Sequence, residues 1–296
     1  MQSKSVSISP LVNIKLKVSD YAQLAKLRLA SLVVFSAAIG YFLAVDTFNS
    51  IDFFVLMLGG FLVTGASNSI NQIIERELDK KMLRTQNRPL AMERMSVLEA
   101  IIFSAVIGIL GVAMLFYFLN PLSGWLGLLA LVLYTALYTP LKQISPISVF
   151  VGAVPGAIPP MLGWVAATGE FGLIPGILFA VQFAWQFPHF WAIAWKLNSE
   201  YTSAGFKMLP GNKKSKAAAF QILLFTAFTI PVGVLPTVFH ITGNISAMVA
   251  IVSGMWFTYI AYQLYRTRSD NAATKLMFAS FIYLPVVLIA YLMDKL

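Results

Sequence analysis

The chain has no cysteine among its 296 residues, which excludes disulfides, thiolate metal sites and a cysteine nucleophile. Charge is scarce too: 11% of residues are Asp, Glu, Lys or Arg, and only 12 are acidic. No small-residue cleavage site follows the first apolar run. That run therefore reads as a retained span behind a polar, basic segment over 1–27, not as a signal peptide. The apolar runs also lack the alternation of barrel strands and are too long for them.

Apolar surface is what the chain has in abundance. At 58% hydrophobic and 14% aromatic, with a mean hydropathy of +0.78, it exposes more than a soluble core hides, and lipid is the natural solvent. A span needs roughly 20 apolar residues to cross about 30 Å of hydrocarbon. Nine runs qualify: 28–45, 51–74, 97–119, 122–138, 147–167, 173–195, 217–239, 245–265 and 274–293. The expected fold is all-α, a single polytopic membrane domain over 1–296 with nine transmembrane helices in a bundle and a cytoplasmic N-terminal segment over 1–27.

Basic residues orient such a bundle. With the N-terminus cytoplasmic, 20 of the 21 Lys and Arg, from Lys4 onward, fall on the cytoplasmic side. Only Lys295 lies outside, with Asp46, Asp52, Glu170 and Asp294, and the C-terminus is then outside as well. This bias, together with attraction to anionic lipid headgroups, accounts for the net charge of +9 without any nucleic acid partner. The outer connections are short, whereas two inner ones, 75–96 and 197–216, are long and are expected to cap that face. They follow spans 2 and 6, a spacing that hints at two similar four-helix halves plus a ninth helix.

The stretch NQIIERELDKKMLRTQNRPL (71–90) concentrates charge at the foot of span 2. Asn71, Glu75 and Asp79 follow at i, i+4 and i+8, along one face of a continuing helix. Thr64 and Asn68 extend that polar stripe into the bilayer, where polar groups usually face a cavity. Two carboxylates and an amide suit Mg²⁺, which keeps waters and binds substrate phosphates. Lys80, Lys81, Arg84 and Arg88 then supply the cations a diphosphate requires. The same charges also fit an ordinary interfacial anchor with intrahelical ion pairs, such as Glu75 and Glu77 with Lys80 and Lys81.

Span 6 repeats the theme with Gln182, Gln186 and His189 on one face, beside Trp185 and Phe190, and Pro188 loosens that helix. His240, in an outer turn, reads as a packing residue. The loop after span 6 carries a single acid, Glu200, a thin candidate for a second metal site.

These residues resemble the signature of the UbiA-type intramembrane prenyltransferases, in the branch that uses heme as acceptor. The resemblance continues in DYAQLAKLR (20–28), YTPLK (138–142), GAVPGAIPPMLGW (152–164), WQFPHF (185–190) and EYTSAGFKMLP (200–210). Two departures are Leu27, where the family usually has Pro, and Glu200 before Tyr201, where it usually has Asp. The resemblance implies transfer of a farnesyl group from farnesyl diphosphate to a vinyl group of heme b, with addition of water, giving heme O and diphosphate. It implies Mg²⁺ on Asn71, Glu75 and Asp79, with Glu200 as a further ligand. Arg84, Arg88, Lys80 and Lys142 would hold the diphosphate, and His189, Gln186, Tyr138, Lys26 and Arg28 would contact heme or substrate. Tyr134, Tyr138 and Trp164 would line a dry cavity around an allylic cation. It places the protein in the bacterial inner membrane and admits heme–copper oxidase assembly proteins as partners. Two alternatives stay open: another acceptor, such as a quinone precursor, and a transporter. Against the transporter, the acids gather at one face and not at the bilayer midplane.

Overall fold

The computed structural model describes residues 10–296, with side chains from Lys15 onward; Lys4 lies outside the described residues. Among these, nine helices are long and apolar enough to cross a membrane. They are α2 (Leu27–Ala44), α3 (Ser50–Asp79), α4 with a π-helical end (Val97–Leu119), α5 running through a π-helical turn into α6 (Pro121–Ile144), α7 (Ser148–Thr168), α8 (Leu173–Lys196), α10 (Lys216–Val238), α11 (Asn244–Thr267) and α12 (Asp270–Met293). Two shorter helices lie outside the spans: α1 (Pro10–Ala25) and α9 (Asn198–Ser203). The nine expected spans are present. The main differences are at two inner ends, where α3 runs five residues further, to Asp79, and the fourth span continues to Ile144.

Local chemistry sets the helix starts. Asn49, Ser96, Asn120, Ser215 and Ser269 each accept a backbone N–H in the first turn of the following helix. At the other end of α7, Gly169 adopts the left-handed conformation of a C-cap. At 30 residues α3 is about 45 Å long, more than the hydrocarbon core. Its length lets it continue beyond the hydrocarbon while remaining helical.

The bundle closes around α7. Gly40 of α2 and Gly163 of α7 bring the two backbones together: a Cβ on Gly40 would lie 2.0 Å from the Pro160 carbonyl oxygen, and one on Gly163 would lie 1.9 Å from that of Ala37. Small residues allow this approach where lipid provides no hydrophobic drive between helices. The apolar core falls into two main parts. One joins α2, α3 and α5 to the second half of α7; the other joins α8, α10, α11 and α12 to its first half. The two parts therefore meet at α7, and α12 packs with the later helices instead of standing apart.

Candidate active site

The stripe on α3 is buried as its spacing predicts: Asn71, Glu75 and Asp79 are 2%, 4% and 1% exposed. They form one wall of a polar cavity of about 120 Å³, completed by Lys26, Met82, Arg84, Arg88, Tyr134, Tyr138, Lys142, Tyr201, Phe206 and Met208. Both long loops contribute to it, and Glu200 links them by accepting a hydrogen bond from the Arg84 backbone N–H at 3.3 Å.

Each acid meets a cation. Arg88 Nη1 donates to both oxygens of Asp79, at 2.8 and 2.7 Å, and Lys142 pairs with Glu75. Lys26 Nζ reaches Asn71 Oδ1 at 3.4 Å, while Asn71 donates to Thr139 Oγ1 at 3.2 Å. Lys142 also lies over the Tyr138 ring, 4.8 Å from its centre. The wide turn at Leu133–Tyr138 delivers Tyr134 and Tyr138 to the wall, and Lys142 follows one turn later. Loss of water around its ammonium, with Arg88 and Lys142 close by, lowers the Lys26 pKa to about 7. Burial likewise raises the pKa of Tyr201. Arg84, Arg88 and Lys142, with Lys26 partly protonated near neutral pH, face two carboxylates in this lining, so the cavity suits an anion.

Lys26 reaches the site because the chain breaks there. It stands between α1 and α2 at φ 51°, left-handed and uncommon for a residue with a Cβ. The carbonyls left open at the end of α1 are taken by two amides of α3. Asn68 donates to Ala25 O at 3.3 Å, and Gln72 donates to Gln23 O and Leu24 O at 3.2 and 2.7 Å. Asn68 thus braces the α1–α2 break. Gln72 was not singled out from sequence, although it lies four residues beyond Asn68 at membrane depth. Met82, Thr139, Phe206 and Met208 were also missed, because apolar and hydroxyl residues at loop positions carry no pattern.

Other expected site residues lie apart from the cavity. Lys80 is on the outer face, paired with Glu77 at 3.3 Å and Glu93 at 3.2 Å, and Arg28 is exposed. Gln186 does not line it either: its amide, like that of Gln182, donates to Gly156 O, at 2.9 and 2.7 Å. Pro160 has no N–H to give that carbonyl four residues back, so both glutamines repair a helix. His189 stacks on Trp185 with ring centres 4.5 Å apart. Its Nδ1 lies 2.8 Å from Ser280 Oγ, whose own hydrogen goes to Met277 O. Nδ1 therefore carries the ring proton and Nε2 keeps its lone pair.

A second, apolar chamber of about 110 Å³ adjoins the polar one through Tyr134. Val33, Val34, Gly60, Val63, Leu115 and Leu162 are among its walls, and Thr64 opens onto it. A site for an anionic head beside an apolar cavity is the arrangement an amphiphile with a charged leaving group requires.

Comparison with known proteins shows the family and the fold. The model of the UbiA prenyltransferase family matches residues 33–284. A protoheme IX farnesyltransferase from Christiangramia forsetii is 47% identical over 283 residues, 94% of each chain. Among solved structures, a digeranylgeranylglyceryl phosphate synthase superposes with a TM-score of 0.79 at 19% identity, covering 94% of this chain and 98% of that one. A UbiA homologue from Archaeoglobus fulgidus bound to GPP and Mg²⁺ superposes with a TM-score of 0.66 at 16% identity, over 92% and 99%. The chain belongs to the UbiA prenyltransferase family and is a prenyltransferase.

Proposed function

We propose that this enzyme transfers the farnesyl group of farnesyl diphosphate to a vinyl group of heme b, producing heme O. The observation that carries the reading is the junction of the two cavities. Carboxylates and cations converge on one side of Tyr134, and an apolar chamber lies on the other. The name of the Christiangramia relative supplies the farnesyl donor and heme acceptor. Family membership sets the transporter reading aside. We place the enzyme in the bacterial inner membrane as one transmembrane domain, with its N-terminus and catalytic end cytoplasmic.

The donor set fits Mg²⁺. Glu75, Asp79 and the Asn71 amide oxygen lie together, and waters and phosphate oxygens would complete a hard-cation shell. When bound, the metal supplies neutralising charge for the departing diphosphate. The side chains do the rest. Arg88 and Lys142 are held by Asp79 and Glu75, which keeps the buried carboxylates neutralised before substrate arrives. On binding, both cations turn to diphosphate oxygens, joined by Arg84 and Lys26, and stabilise the charge that develops there. The C1–O bond of the donor breaks. C1 then bonds to the terminal vinyl carbon, water adds its hydroxyl to the inner vinyl carbon, and a proton leaves. The dry walls of the apolar chamber shield the allylic cation from earlier capture by water.

Pigment analysis tests the reading. Membranes of cells that contain heme b but make no heme O are extracted after expression of this chain. Heme O should appear beside heme b. A prenylated quinone precursor with heme b unchanged would overturn the choice of acceptor.

A further inference from the structure

A third cavity, of about 340 Å³, borders the polar one and shares Arg84, Tyr138, Tyr201 and Met208 with it. Its other walls are Phe190, Ile193 and Lys196 of α8, Leu197 just beyond that helix, and Met277 of α12. The volume falls within the roughly 300–1,000 Å³ usual for ligand sites. Along α8 this lining spans almost two turns, about 9 Å from Phe190 to Lys196. No acidic side chain lines it. Lys196 is exposed and has no carboxylate partner among the described residues.

Two substrates that form a bond must bring their reacting atoms to about 3–3.5 Å. The reacting edge of the acceptor therefore belongs at the wall shared with the diphosphate cavity, beside Tyr138. Of the two cations in this lining, Arg84 belongs to that shared wall and Lys196 does not. A ligand spanning from one to the other is a large, flat, mainly apolar body that reacts at one edge and carries negative charge at another. A single-ring acid is too short to do both.

We propose that this chamber is the acceptor subsite, taking a heme-like macrocycle whose carboxylates pair with Lys196, whose faces lie on Phe190, Ile193 and Met277, and whose vinyl edge meets Tyr138. The assignment rests on the heme-prenylation reading above and adds to it where, and by which end, the acceptor is held.

Absorbance titration of the full chain in nanodiscs, without farnesyl diphosphate, tests it with two probes: ferric protoheme and its dimethyl ester. Lys196→Gln should weaken binding of the free acid about tenfold, the scale of one charge-assisted contact, and leave the ester unaffected. Met277→Trp fills the chamber and should abolish binding of both probes, while inorganic diphosphate still binds and reports a folded site. Equal losses for acid and ester in Lys196→Gln would overturn the carboxylate pairing. Wild-type affinity for both probes in both variants would overturn the subsite alone. A wild-type protein that binds neither probe would overturn the subsite together with the heme reading beneath it.

Discussion

Asp79 and Arg88 show how much one helical register decides. The i, i+4, i+8 spacing made the Asn71–Glu75–Asp79 wall legible in the sequence, and all three residues are buried on one cavity wall. The cations were harder to sort. Lys80 and Arg88 look alike in a string of charges. The helix ends at Asp79, though, and the turns that follow bring Arg88 back to it while Lys80 stays on the outer face with Glu77 and Glu93. Periodicity stops where the helix stops, so residues 80–96 could not be placed by spacing. Arg88→Ala should lower kcat/KM for farnesyl diphosphate by about 1.5–3 kcal/mol, roughly ten- to a hundred-fold. Arg88→Lys should recover only part of this, because the planar fork is lost. Steady-state kinetics at saturating heme b measures it, and unchanged constants in Arg88→Ala would remove this contact from the mechanism.

Helix α7 illustrates what a single element hides. Its three prolines are plain in the sequence, as are Gln182 and Gln186 on one face of α8. That these amides serve a carbonyl orphaned by Pro160 depends on how two helices pack, and no pattern within either helix reports it. The polar face of span 6 therefore read as a ligand site when much of it is helix repair. Losing both amides leaves a buried acceptor unpaired, at about 1–3 kcal/mol. Gln182→Leu and Gln186→Leu should each be mild alone and costly together. The combined cost should shrink when Pro160→Ala restores an N–H to Gly156 O, a non-additivity that thermal unfolding in detergent can read. Strict additivity across the set would show that the two amides do not share that role.

At the scale of the whole molecule, hydropathy and charge carried most of the fold. Nine spans are present among the described residues, and the elements that bear Glu75, Lys142 and Arg88 converge at one end. The cavities themselves were not legible, because Met82, Tyr201, Phe206 and Met208 reach them from loops without periodicity. Sidedness follows from the cations: with 20 of 21 on one face, the polar cavity should open to the cytoplasm. The absence of native cysteine makes this testable with single cysteines at Gln86, Asn212, Asp46 and Thr168 and an impermeant thiol reagent on intact cells. Positions 46 and 168 should react from outside, and 86 and 212 only after the membrane is opened; outside labelling at 86 would invert the topology. The central claim is that the α3 carboxylates drive prenyl transfer to heme. The most direct measurement is transfer of label from isotopically labelled farnesyl diphosphate to heme b by the purified chain in nanodiscs. Wild type with Mg²⁺ should place the label on heme, whereas EDTA, Glu75→Gln and Asp79→Asn should each abolish transfer in protein that still inserts and folds. Undiminished transfer in EDTA, or in both variants, would contradict the account.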